Sequence, residues 1–124
     1  MQKQPIDPCL QSAGLVLSHM REGNLTATEL MEGILARIER LNPDLNAIVT
    51  LDAEEARRGA AHPAAGPLGG LPFTVKDVWQ TAGLRSTAGH PALKDNVPTR
   101  DAAVVARIRA AGAILVGKTN LAEM

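Results

Sequence analysis

The hydrophobic patterning predicts an α/β fold, a three-layer sandwich of helices on a sheet, and three observations carry that prediction. A long amphipathic helix opens with a capping box and keeps Leu30, Ile34, Ile38 and Leu41 on one face. Two short runs, Phe73 to Val75 and Ala113 to Val116, have the apolar and β-branched content of buried strands. Between them lies a second amphipathic helix, so the order helix, strand, loop, helix, strand is that of a sheet covered by helices. One strand pair does not make a stable sheet by itself.

Taken in order, Asp7 is a good N-cap, followed by Pro8 at the first helical position and by Leu10, Ala13, Leu17 and Met20 at helical spacing, with Gly23 as the stop. The second helix runs from the Thr26 to Glu29 capping box to Asn42-Pro43, where proline ends it. Asn46 to Leu51 is strand-like but short, and Asp52 with Glu55 caps a short helix reaching about Ala61. GAAHPAAGPLGGLP, 59 to 72, is too rich in glycine and proline for a helix and forms an extended connector. It delivers the chain into the strand of FTVKDVW, whose end carries Lys76. Residues 80 to 99 have no period and read as a long loop, a length often associated with function. Asp101 then opens a helix with Val104, Val105, Ile108 and Ala111 inward and Arg107 and Arg109 outward; Gly112 ends it and AILV follows as a buried strand.

Several function classes are disfavoured. The 124 residues suffice for one modest domain, and 13 basic against 13 acidic side chains leave no net charge to attract nucleic acid or anionic lipid. Phe73 and Trp79 are the only aromatic side chains, too few for a base-stacking platform. A single cysteine, Cys9, makes no internal disulfide and reads as a small hydrophobe, which together with a start too polar for a secretory signal suggests the cytoplasm. The longest small and apolar run, 110 to 117, is far short of the roughly 20 residues that span a bilayer. His19, His62 and His90 are scattered, without the spacing of a zinc site, and Glu54, Glu55, Arg57 and Arg58 read as a solvated helix face.

Gly112 to Thr119 spells G-A-I-L-V-G-K-T, matching the phosphate-loop pattern G-x-x-x-x-G-K-T. A phosphate loop needs a strand before its first glycine and free backbone amides after it, whereas a helix precedes Gly112 and AILV suits a buried strand. A helix cap followed by a strand is the reading kept. Lys76 is a different matter, since Phe73, Val75, Val78 and Trp79 surround it in sequence, a setting that would desolvate an ammonium and favour the neutral amine, a base. The alternative is a solvent-facing lysine paired with Asp77, and spacing alone leaves both open.

Four stretches in a fixed order, LTATELMEGILARIERLNPDLNAIVTLD (25 to 52), GPLGGLPFTVKD (66 to 77), STAG (86 to 89) and RDAAVVARIRAAGAILVGKTN (100 to 120), resemble the N-terminal third of amidase-signature enzymes. Gly69 stands where many members have histidine, and His90 where many have serine. The resemblance implies the N-terminal portion of an α/β/α sandwich with a central mixed sheet, incomplete in this chain: residues 1 to 124 form part of a single domain lacking the glycine- and serine-rich nucleophile segment. It implies hydrolysis of carboxamide carbon-nitrogen bonds by a Ser-cisSer-Lys mechanism, with Lys76 as the catalytic base and no metal or organic cofactor. Ser12, Ser18 and Ser86 do not occupy positions that could supply the nucleophile, so the chain reads as an inactive fragment. The implied partner is a small-molecule amide, with no membrane and no direct nucleic acid contact, in a chain that could self-associate. Two alternatives stand beside this reading: the amidase subunit of a glutamine-dependent tRNA amidotransferase, working with its other subunits, and a non-catalytic fragment acting only as a binding partner.

Overall fold

The computed structural model describes residues 7–122; residues 1–6, on which part of the secretory-signal argument rests, and residues 123–124 lie outside it. Asp7 is a cap, its carboxylate accepting from the Cys9 amide at 2.9 Å, but it caps only a 3-10 turn, Pro8–Leu10. The helix proper, α1 (Ala13–Arg21), restarts under a second cap, Ser12, so the single helix predicted from Asp7 is two pieces. Gly23, at φ 77°, follows its end in the left-handed region where glycine carries no Cβ penalty.

Helix α2 (Ala27–Leu45) has the capping box in full, with the Glu29 amide donating to Thr26 Oγ1 at 3.1 Å and the Thr26 amide to Glu29 Oε2 at 2.8 Å. It passes through Pro43 instead of stopping there, because one missing donor in a last turn is a small loss, and it closes at the left-handed Asn46. Asn42 then grips the next strand from both sides, accepting from the Ile48 amide at 2.8 Å and donating to its carbonyl at 3.0 Å. Strand β1 is Ile48–Leu51 and helix α3 is Ala53–Ala61. Asp52 occupies the expected cap position of α3, yet its side chain makes no capping bond.

Strand β2 is Pro72–Lys76, helix α4 is Ala103–Ala110 and strand β3 is Ile114–Thr119. The sheet order is β1-β3-β2, with β3 antiparallel to β1 and parallel to β2, so the sheet is mixed as expected and its third strand is β1. Ala27, Met31, Leu35, Ala56, Ala60 and Val116 form the core on the α2/α3 face, and Val75, Leu84, Val105 and Leu115 form a smaller one on the other. At roughly 25 cal/mol per Å² of apolar surface, these two cores are the main attraction holding helices to sheet.

Three expectations for α4 change. Asp101 does not cap it: Ala102 does so without a side-chain bond, while the Asp101 carboxylate accepts from the Ala82 amide at 2.7 Å and pairs with Arg109 at 3.1 Å. That bond also draws Arg109 partly inward, and on so short a helix Val105 is buried while Val104 stays exposed. The glycine-rich connector runs against the end of α4, with Leu68 and Gly70 amides donating to the Ala111 and Gly112 carbonyls. Contact is so close there that a Cβ on Gly66 would collide with the Ala111 carbonyl oxygen, which a glycine at that position avoids.

Candidate active site

Strands β2 and β3 run parallel and finish together, Lys76 opposite Thr119. Ligands of open α/β sheets bind beyond the carboxyl ends of such strands. A cavity of about 270 Å³ opens there, and Asp77, Thr87, His90, Lys94 and Asn120 are among the residues lining it.

Lys76 is exposed. The apolar enclosure expected from its sequence neighbours does not form around it, because successive strand residues face opposite ways: Val75 turns into the core, while Val78 and Trp79 leave the strand and are 41% and 49% exposed. The alternative is half right, since Lys76 faces solvent but Asp77 pairs elsewhere. Asp77, 2% exposed, lies with one carboxylate oxygen, Oδ1, 3.2 Å from Nζ of Lys118. That oxygen is at ion-pair distance yet off the direction of a good hydrogen bond. Its other oxygen, Oδ2, accepts from Thr87 Oγ1 at 2.5 Å and from the Thr87 amide at 3.1 Å.

Lys118 is the residue that sequence reasoning missed. It has no exposed surface, and its ammonium also donates to the Trp79 carbonyl at 2.8 Å and to Ser86 Oγ at 2.7 Å. Two hydrogen bonds and a carboxylate at ion-pair distance thus surround one nitrogen, an arrangement that favours its charged form. Burial lowers its pKa, and the neighbouring Asp77 carboxylate partly offsets that. The side chain reaches this face through a β-bulge: Phe73 pairs with Leu115 and Thr74 with Gly117, leaving Val116 as the extra residue. Without the bulge, alternation would send Lys118 toward α2 and α3 with Ile114 and Val116. Gly117 permits it, since a Cβ there would collide with the Thr50 carbonyl oxygen on β1.

Ser86 is fully enclosed, its hydroxyl donating to the Leu84 carbonyl at 3.0 Å while accepting from Lys118 and the Thr81 amide. No substrate carbonyl can reach it, so the Ser86–Lys118 pair is not a nucleophile and its base. The STAG segment is fastened to the strand end by Thr87 and by the Ala88 amide, which donates to the Asp77 carbonyl at 2.9 Å. Ala88 itself sits at φ 50°, an uncommon conformation for alanine held by these bonds.

The remaining candidates behave as plain structure. Residues 114–119 of the phosphate-loop lookalike are strand, and their lysine is consumed by Asp77, Trp79 and Ser86. Among the described residues, no three of His, Cys, Asp and Glu gather as a metal site. Cys9 is half-buried, and burial with the neighbouring Asp7 carboxylate pushes its thiol up, away from thiolate chemistry. The 54–58 charge run is a solvated face, with Arg57 paired to Glu32 at 2.7 Å and Arg58 to Glu55 at 3.1 Å. No described helix is long and apolar enough to cross a membrane.

A mixed sheet flanked by helices, with a cleft at its parallel strand ends, has the organisation of an α/β domain with a ligand site. The chain belongs to the amidase family, whose profile matches residues 29–124. It is 45% identical over 120 residues to a glutamyl-tRNA(Gln) amidotransferase subunit of Roseiflexus sp. (strain RS-1), covering 88% of this chain and 25% of that protein. An acylamidase of Rhodococcus erythropolis is 38% identical over 120 residues, covering 90% and 25%. Among solved structures, 6-aminohexanoate cyclic dimer hydrolase superposes with a TM-score of 0.86 at 34% identity over 97% of this chain and 25% of that one. The peptide amidase of Stenotrophomonas maltophilia gives 0.80 at 34% identity, over 96% and 26%. The chain thus spans about a quarter of the length of these relatives.

Proposed function

We propose that these residues supply the general base of an amide hydrolase, and that the base is Lys76. The supporting observation is its position: an accessible lysine at the carboxyl end of β2, next in sequence to Asp77, which lines the cleft, in a chain of the amidase family. In this reading a serine oxygen adds to the carboxamide carbon. The serine proton passes through a second, cis-peptide serine to the neutral amine of Lys76 and then to the departing nitrogen as the carbon-nitrogen bond breaks. Water then releases the acyl group from the serine. The chain's own serines are unsuited to the first step, Ser86 being enclosed and Ser12 and Ser18 belonging to the cap and body of α1. Both catalytic serines therefore come from beyond these 124 residues, which form one part of a single domain. The single half-buried thiol fits a reducing, cytoplasmic setting.

The test joins the chain to the remainder of an acylamidase relative, by fusion or co-expression. Simple carboxamides should be turned over by the completed protein and not by the 124 residues alone. Serine-dependent turnover by the 124 residues alone, blocked by a serine-directed phosphonate, would overturn this reading. The 45% match to an amidotransferase subunit supports a second reading, in which the amide is glutamine and the completed protein works with partner subunits. Glutamine hydrolysis appearing only when those subunits are added would favour it. An inactive binding role is what remains if neither form of the completed protein has activity.

A further inference from the structure

We propose that Lys118 is a positioning residue for the amide chemistry, a buried ammonium that clamps the 76–79 turn to the 84–88 segment and so fixes the direction in which Lys76 leaves β2. The inference rests on the role given to Lys76 above. Lys118 binds the turn at two points, the Asp77 carboxylate and the Trp79 carbonyl, while the turn closes on itself through the Trp79 amide and the Lys76 carbonyl at 3.0 Å. Through Ser86 it binds the segment that also meets Asp77 by way of Thr87 and Ala88. One nitrogen therefore joins the two segments whose Asp77 and Thr87 line the cleft, and with no exposed surface it does not reach substrate itself.

A lysine is an expensive way to fill this space. A methionine of similar length would avoid desolvating an ammonium, and well-packed apolar replacements of buried ion pairs are often neutral or stabilising. Yet the chain uses a bulge at Val116 and a side-chain-free residue at Gly117 to bring the charge to this face. Apolar filling cannot hold the Trp79 carbonyl, the Asp77 carboxylate and the Ser86 hydroxyl at once. The ammonium does, which links its cost to geometry at the strand end. Ser86, which the amide mechanism leaves unused, becomes part of the same clamp.

The test uses Lys118→Met and the double variant Lys118→Met/Asp77→Asn, which removes both charges and leaves no orphaned carboxylate. In the 124-residue chain, amide hydrogen exchange should accelerate roughly 100-fold at Trp79 and Thr81 while the amides of β3 keep their protection. Unchanged exchange at Trp79 and Thr81 would show that Lys118 clamps nothing. In the completed enzyme both variants should lose roughly 100-fold in kcat with KM little changed, the scale of loss set by a misplacement of about 1 Å. The double variant should stay slow even where it melts at the parent temperature. Parent kcat in a double variant of parent stability would end the inference. Ser86→Ala, a milder change, should accelerate exchange less and lower kcat in the same direction; if either Lys118 variant fails to fold, Ser86→Ala with parent kcat would count equally against it. Lys76→Ala measured alongside separates the failures: an active Lys76→Ala overturns the base assignment, whereas an inactive Lys76→Ala beside a fully active double variant overturns only the clamp.

Discussion

At the scale of the residue, the two lysines at the end of the parallel strands divide into an accessible one and an enclosed one. Lys76 is legible in the sequence because the V-K-D motif marks it, but its surroundings are not. Neighbours in a strand face opposite ways, so the apolar residues beside it in sequence are not beside it in space. Lys118 is hidden when the strand is drawn too short: ending it at Val116 leaves the lysine outside, whereas the observed strand carries it to Thr119 between two neighbours. A lysine in a central strand must find a buried partner, and that rule points to Asp77. A pH effect follows. Because burial lowers the Lys118 pKa, the unfolded chain binds more protons than the folded one between the folded value and the ordinary 10.5, so stability rises with pH across that window. Below the window the full cost of the buried charge is present. Urea midpoints taken across the alkaline range should climb for the parent, while Lys118→Met should lack that climb; equal slopes would contradict the assignment.

Elements are legible where a local rule fixes them and less so where tertiary contacts decide. The capping box at Thr26 and Glu29 can be read directly, because both partners lie within one turn of each other. Thr26→Ala should therefore cost about 1 kcal/mol in urea-monitored stability, and a loss near zero would mean the box is formed but not needed. The end of α2 is not set by Pro43, since Asn42 and Asn46 fix the boundary through bonds to β1 and a left-handed close. The bulge in β3 has no sequence signal beyond Gly117 itself. Gly117→Ala should destabilise by about 1–3 kcal/mol, since a methyl group there meets backbone on β1 and neither strand yields without losing register. Near-parent stability of that variant would show that β1 can move aside.

For the molecule as a whole, the mixed sheet and its two helical faces follow from the order of patterns, while the central place of β3 does not. That position depends on β1 pairing antiparallel with it across more than sixty residues of intervening chain, a long-range choice that no local pattern encodes. Within the described sheet β1 and β2 are both edges, and Leu51, Val78 and Trp79 are exposed beside them. Such edges and apolar side chains invite association, so light scattering on the 124-residue chain should show mass rising with concentration and a broad thermal transition. A strictly monomeric species with a sharp transition would contradict that picture. The central claim concerns chemistry and is tested most directly by amide turnover in the completed enzyme with Lys76→Ala. The account predicts that turnover is abolished while the fold and the substrate affinity persist; near-normal turnover without Lys76 would contradict it.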